Sequence, residues 1–308
     1  MHHSPDEKTR LVGLKSILEL RAKLLSATRN FFRERNYLEV STPALVRTPA
    51  LELHIDAFST DGHFLRTSPE LHMKRLLCAG YERIFQIGKC FRAGERGNLH
   101  NPEFTMLEWY QANADYMDIL AETKDLLRHL AKTCLGKLTL ERNGKSLDLG
   151  TEWQLFSVPK LFAKHAGWNP AVAFDERRFE DDLVNCIEPS LPTDRPVVLL
   201  DYPAQVAALA RLKADDGRLA ERWELYLAGI ELANAFSELT DAAEQLKRFE
   251  ECARKRRDMD KAVYELDLEF LAALEKGLPP AAGVALGLDR LVMLFAGVDS
   301  LDDVLPFR

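Results

Sequence analysis

Phe91-Arg92-Ala93-Gly94-Glu95-Arg96-Gly97-Asn98-Leu99-His100-Asn101-Pro102-Glu103-Phe104 lies between two runs of strand character, Arg83 to Phe91 and Phe104 to Tyr110. A polar, glycine-bearing connection of this length predicts two antiparallel strands joined by a long loop. Long loops inside compact domains are uncommon and tend to serve function. Upstream, Leu18, Leu24, Leu25, Phe31 and Phe32 recur at helical intervals, which predicts a helix from about Leu14 to Asn36. Pro43 and Pro49 hold the next segment extended, and Ser68-Pro69 reads as a helix start with Ser68 as the N-cap. Downstream, Tyr116 to Leu130 reads as a helix and Arg222 to Phe236 as a hairpin turning at Ala228-Gly229. Asp241 to Lys261 is a charged helix whose basic cluster, Arg254 to Arg257, reads as a solvated face. Gly283-Val284-Ala285-Leu286-Gly287 runs into an amphipathic helix from Leu288, while Leu138 to Pro203 carries only short ambiguous runs. Long helices mixed with antiparallel strands, without βαβ alternation, predict an α+β domain in which helices flank an antiparallel sheet.

Composition narrows the class. A chain of 308 residues can bury a large core without covalent staples. Its 41 basic and 48 acidic residues give a net charge of −7, which disfavours a broad nucleic-acid footprint. The longest uncharged apolar stretch, Leu278 to Leu288, is too short to span a bilayer and holds two prolines and two glycines. Nothing at the N-terminus reads as a signal peptide. Five cysteines, Cys78, Cys90, Cys134, Cys186 and Cys252, form no CxxC pair, which disfavours a disulfide framework or a structural zinc. The expectation is a cytoplasmic protein with no membrane association.

Three groups of residues carry chemistry. In the long loop, Arg92 and Arg96 offer planar donor forks suited to phosphate oxygens, His100 lies near them, and Phe104 offers a face for stacking a base. A polar surface loop with one buried aromatic is the plain alternative. At Gly283 to Arg290, glycines permit close backbone approach and a helix N-terminus favours an anion that Arg290 would meet; a structural turn with Arg290 in an ion pair is the alternative. The third group is acidic: Glu224, Glu231 and Glu238 about the hairpin, with Glu70 and Glu108 elsewhere. A two-residue turn pairs Tyr226 with Glu231 and puts Glu224 diagonally across on the same face. Two such carboxylates could hold a hard cation, or simply be exposed. Glu238 is an odd number of residues from Glu231, so a bulge or the strand's end near Ala235 is needed to bring all three to one cavity. Taken together, the groups suit a polyphosphate, a base, Mg²⁺ and a cationic ligand.

The same residues fall into three ordered motifs. Tyr37-Leu38-Glu39-Val40-Ser41-Thr42-Pro43, the span Phe91 to Tyr110 and Gly283 to Arg290 resemble the three motifs of class II aminoacyl-tRNA synthetases, most nearly lysyl-tRNA synthetase. The resemblance runs from about Leu14 to the C-terminus and implies that family's catalytic domain over 14–308, after an N-terminal tail of 1–13. It implies a homodimer formed through the first motif. It further implies that Arg92 grips the α-phosphate and the substrate carboxylate, with Ala93, Gly94 and Glu95 beside it, and that Phe104 stacks on adenine. His100 and Arg290 would contact the outer phosphates of ATP, Asn101, Leu232 and Gly287 would help seat the nucleotide, and Glu224 and Glu231 would hold Mg²⁺. Ser68, Pro69, Glu70, Glu108, Tyr110, Ala233, Asn234, Phe236 and Glu238 would form the amino-acid pocket. In it, Glu108, Tyr110 and Glu238 would receive a side-chain ammonium and Glu70 the backbone amine.

Two positions depart from that pattern. Gly94 and then Glu95 follow the arginine where the family usually has glutamate two residues on, and Ala233 stands where lysyl-tRNA synthetases usually have glycine. An added methyl narrows a pocket and is typically worth about 1–3 kcal/mol in discrimination. A catalytic pattern beginning near Leu14 leaves no room for the family's N-terminal OB-fold, so anticodon recognition is not expected. A lone lysyl-type core is similar to the family of elongation factor P lysine ligases, which implies (R)-β-lysine or lysine as substrate and elongation factor P as acceptor. Transfer to tRNA or a small molecule stays open at this point. So does a non-catalytic amino-acid sensor, although its expected sign, loss of Arg92 and Arg290, is not met.

Overall fold

The computed structural model describes residues 6–307. Eight strands form the central sheet: β1 (Leu38–Glu39), β2 (Arg83–Phe91), β3 (Glu103–Ala112), β4 (Gln154–Ser157), β5 (Val197–Pro203), β6 (Leu219–Leu227), β7 (Ile230–Ser237) and β8 (Ala281–Gly287). Their order is β1-β2-β3-β8-β7-β6-β5-β4. Pairing from β2 through to β5 is antiparallel, as expected, but both edges are parallel: β1 on β2 and β4 on β5. A small three-stranded sheet within residues 45–65 and a hairpin at 139–148 stand outside this sheet.

Nine α-helices surround the sheet among the described residues: α1 (Glu7–Gly13), α2 (Lys15–Glu34), α3 (Glu70–Cys78), α4 (Tyr116–Leu135), α5 (Val158–His165), α6 (Glu176–Asp182), α7 (Ala242–Asp258), α8 (Leu268–Lys276) and α9 (Leu288–Ala296). Helix α1 lies in the segment expected to be a tail; residues 1–5 of that segment lie outside the described residues. Asp6 accepts from Thr9 N to cap α1, and no residue of it is buried, so it adds a solvated turn rather than core. Helix α2 keeps the expected apolar stripe, and Phe32 stacks on Phe85 with ring centroids 4.7 Å apart.

The sheet has two unlike faces, and strand alternation sorts them. Leu107 and Trp109 of β3, Ala282, Val284 and Leu286 of β8, and Trp223 and Leu225 of β6 point into the main core with residues of α2, α4 and α9. The residues between them on β3, β8, β7 and β6 include Glu108, Tyr110, Gly283, Asn234, Phe236, Arg222 and Glu224. Cross-strand pairing aligns Tyr110 with Gly283, Phe236 with Arg222 and Asn234 with Glu224. Four adjacent strands thus put their polar residues on the face opposite the core.

Parity alone would not keep Glu231 and Glu238 on that face. The turn forms at Ala228 and Gly229, both with positive φ (51° and 77°), and Tyr226 pairs with Glu231. The next pair is Leu225 with Ala233, so Leu232 is an extra residue, a β-bulge. The required irregularity therefore exists, three residues before Ala235. It shifts the alternation so that Glu231, Asn234 and Phe236 share a face.

Candidate active site

A cavity of about 90 Å³ opens on the polar face, lined among others by Glu52, Ser68, Glu70, Arg92, Glu108, Tyr110, Arg222, Asn234 and Phe236. Seven of these were expected from the sequence; Glu52 and Arg222 were not. Gly283 is needed at its base. A Cβ there would come 2.3 Å from Tyr110 Cε1 and 2.9 Å from Glu238 Oε1, too close for any side chain.

Helix α3 and strand β3 each bring one acidic group to the cavity, Glu70 and Glu108. Ser68 Oγ accepts from Glu70 N (3.0 Å) and donates to Glu108 Oε2 (2.9 Å), although α3 begins at Glu70 with Pro69 as its N-cap, one residue later than expected. Pro69 is buried and leads directly into α3 without lining the cavity. Tyr110 Oη donates to Glu108 Oε1 (2.5 Å). Burial, with the charge of Glu70 added, pushes the Glu108 carboxyl up to about 8. Its usual value is 4.5, so in between the folded chain holds a proton that the unfolded chain releases. Stability from this group is therefore lost as pH rises from ~5 to ~8. Glu108→Gln removes that contribution, and urea midpoints of the variant will decline less steeply over this range than those of the parent. Parallel declines would mean that Glu108 ionises normally.

Lys74 is the principal residue that sequence reasoning missed. It is buried on α3, with Nζ 2.6 Å from Glu70 Oε1 and 2.5 Å from Glu238 Oε2, and 5.1 Å from the centre of the Phe236 ring. The two carboxylates hold it as an ammonium, against its burial. Glu238 is fully buried at the cavity base rather than part of its lining; burial pushes it up to about 8, with Lys74 opposing. The two carboxylates expected to receive ligand amines thus already share an internal cation. The Glu70–Lys74 spacing of four residues, on the face that carries Leu77, was the available signal.

Ala233 and Leu232 correct two expectations. Both side chains are 2% exposed and belong to the main core, not to the cavity lining. The methyl of Ala233 does not narrow the cavity here, and Leu232 could approach a nucleotide only through its backbone.

The loop 92–102 lies next to the cavity and is closed at its base by Arg92 N donating to Pro102 O (2.9 Å). Arg92 lines the cavity, its guanidinium carbon 5.2 Å from the Phe104 ring centre and Nη1 3.9 Å from Glu95 Oε1. Ala93 N donates to Asp56 O (2.7 Å), and Gly94 takes a positive φ of 80° at the turn. Asn101 is buried and donates to Glu103 O (2.5 Å). At the other side, Gly287 starts α9, and Arg290 donates to Leu99 O (3.1 Å), Glu231 O (2.7 Å) and His100 Nε2 (2.8 Å). Burial and the adjacent Arg290 charge hold His100 below its usual range. Asp289 anchors this corner by accepting from Arg21 Nη1 (2.6 Å) and Thr105 N (2.7 Å).

Glu224 accepts from Tyr202 Oη (2.5 Å), Arg222 Nη2 (2.7 Å) and Tyr226 Oη (3.0 Å). Burial raises its pKa, Arg222 opposes that, and the charge of Glu231 raises it further. Two mutually repelling carboxylates suit Mg²⁺, which commonly takes one or two carboxylates and completes its shell with phosphate and water. Arg256 overturns the solvated-face reading for its own position. Fully buried, it donates to the carbonyls of Glu52 (2.7 Å), Ile55 (3.0 Å) and Ala262 (2.7 Å) and to Asp56 Oδ1 (2.6 Å). It thereby fixes the loop that carries Glu52.

Compared with known families, residues 8–308 match the one described as tRNA synthetases class II (D, K and N). The chain belongs to that family. Within it, the chain is 39% identical over 303 residues to the elongation factor P--(R)-beta-lysine ligase of Hamiltonella defensa, covering 93% of both proteins. It is 40% identical over 306 residues to the protein of the same name from Vibrio parahaemolyticus, covering 94% of both. The Haemophilus influenzae protein of that name is 39% identical over 324 residues, 96% of this chain and 95% of its own. No helix among the described residues is long and apolar enough to cross a membrane.

Proposed function

We propose that this chain is an ATP-dependent ligase that activates (R)-β-lysine, or lysine, as an aminoacyl-adenylate and transfers it to a lysine side chain of elongation factor P. The observation that carries this reading is the shared cavity in which Arg92 faces Glu52, Glu70 and Glu108, beside the Phe104–Arg290 loop corner. A ligand with one carboxylate and two ammonium groups matches that charge arrangement, since buried charge needs opposite charge. The names of the relatives supply the acceptor.

Arg92 holds the substrate carboxylate against the α-phosphate. A carboxylate oxygen attacks phosphorus, the bond to the β-phosphate oxygen breaks and pyrophosphate leaves. The carboxylate is already ionised at neutral pH, so no general base is required. Arg92, Arg290 and His100 stabilise and orient phosphoryl oxygens, and Phe104 supports adenine. Glu224 and Glu231 would hold Mg²⁺, which supplies charge neutralisation at the phosphates. A neutral acceptor amine then attacks the acyl carbon, AMP departs and an amide remains. The first motif is the proposed dimer contact, where Leu38 stays 51% exposed on the short edge strand β1. The proposed setting is the cytoplasm.

The test mixes the protein, ATP, Mg²⁺ and radiolabelled lysine isomers with elongation factor P or with tRNA. Label is expected on elongation factor P and not on tRNA. Label on tRNA alone would overturn the acceptor assignment, and no amino-acid-dependent pyrophosphate exchange at all would overturn the activation step.

A further inference from the structure

The carboxylates at the cavity differ in how fully they are occupied. Glu70 and Glu238 are tied to Lys74, Glu108 to Ser68 and Tyr110, and Glu224 to Arg222 and two tyrosines. Among the described residues, the side chain of Glu52 makes no hydrogen bond or ion pair, although it lines the same cavity. Its charged neighbours are Arg92, Glu70, Arg222 and Glu95, which places it at the Arg92 end. Its backbone is held there from behind by the buried Arg256, and Ala93 N, next to Arg92, bonds to the same loop at Asp56 O (2.7 Å). Desolvation raises the Glu52 pKa, the response of a carboxylate lacking a full counter-charge.

We propose that Glu52 binds the amino group nearest the substrate carboxylate and so sets which position of that amine the pocket accepts. The inference rests on the amino-acid-activation reading and sharpens it. A carboxylate held by Arg92 puts an α- or β-amine one or two carbons away, within the part of the cavity that Glu52 and Glu70 share. Glu70 already has a cation and Glu52 does not, so the incoming ammonium completes Glu52.

The test compares three ligands by calorimetric titration in the presence of a non-hydrolysable ATP analogue: β-lysine, α-lysine and 6-aminohexanoate, which lacks the amine next to the carboxylate. The parent protein should bind its preferred lysine isomer roughly 10- to 100-fold more tightly than 6-aminohexanoate, the range for a hydrogen bond to a charged group. Glu52→Gln should erase that advantage while leaving 6-aminohexanoate and nucleotide affinities within about twofold. Glu52→Asp should restore part of it. Retention of the full advantage in Glu52→Gln, or equal weakening of all three ligands, would overturn the role of Glu52. Parent protein that binds none of them would overturn it as well. If the ligands bind as expected but pyrophosphate exchange is absent, the proposed reaction fails and the amine site stands.

Discussion

Arg92→Ala will lower amino-acid-dependent pyrophosphate exchange by about 10²–10³-fold or more, with a thermal midpoint close to that of the parent. The large kinetic effect follows from the place of Arg92, at the junction between the cavity proposed for the amino acid and the Phe104 face. Charge on the transferring phosphoryl group would develop beside this guanidinium, away from bulk water, and removal of one such preorganised donor typically costs 10²–10³-fold. The small stability effect follows from its bonding. Among the described residues its one ion pair, to Glu95, is long at 3.9 Å and its buried Nε has no hydrogen-bond partner, so truncation breaks little that holds the fold. Arg92→Lys should recover only part of the activity, because a point charge replaces a planar fork. Exchange within tenfold of the parent in Arg92→Ala would remove Arg92 from the reaction.

Lys74→Met will destabilise the chain by about 3–5 kcal/mol at neutral pH, the usual loss when one partner of a buried ion pair is removed. The methylene stem of lysine is approximated by methionine, so packing against Phe236 largely persists and the loss reports charge. What remains is Glu70 facing Glu238 across a space from which their shared ammonium has gone. Burial pushes the Glu238 carboxyl up and the Lys74 charge opposes that; without Lys74 the carboxyl shifts further up. Stability of the variant should therefore improve towards acid pH relative to the parent. The double variant Lys74→Met/Glu238→Gln should be more stable than Lys74→Met alone, since one unpaired carboxylate has been neutralised. Urea unfolding of the three proteins measures this. A loss below about 1 kcal/mol in the single variant, or no recovery in the double, would show that the cluster carries no net charge coupling.

The elements whose sequence repeats a local rule were legible. Strand β2 has the expected bounds, Arg83–Phe91, and α2 ends two residues before the expected Asn36. The hairpin pairs Tyr226 with Glu231 because a two-residue turn leaves that register, and Ala228 accepts a positive φ to make it. The bulge at Leu232 had to exist somewhere, but nothing in Glu231-Leu232-Ala233 distinguishes its position, because both apolar side chains enter the core. Lys74 and Arg256 were misread or missed for a common reason. In a helix rich in charge, a buried cation looks like a solvated one until the carboxylates or carbonyls that meet it, from distant parts of the chain, are in place. Glu52 sits in a loop with no periodicity to mark its direction. Residues 138–203 gave little because their order comes from short pieces, including a π-helical turn at Leu183–Ile187 and the parallel edge β4 on β5, which depend on long-range packing.

The extra residue in β7 has a consequence for how this hairpin can vary. Upstream of Leu232 the strand carries Glu231, whose carbonyl meets Arg290; downstream it carries Asn234 and Phe236, which line the cavity. One unpaired position acts as a phase shifter between the two half-sites. A substitution in either half leaves this alternation in place, while loss or gain of a single residue would swap interior for cavity-facing groups along the rest of the strand. The facing of every later side chain in the strand therefore depends on chain length at this one point.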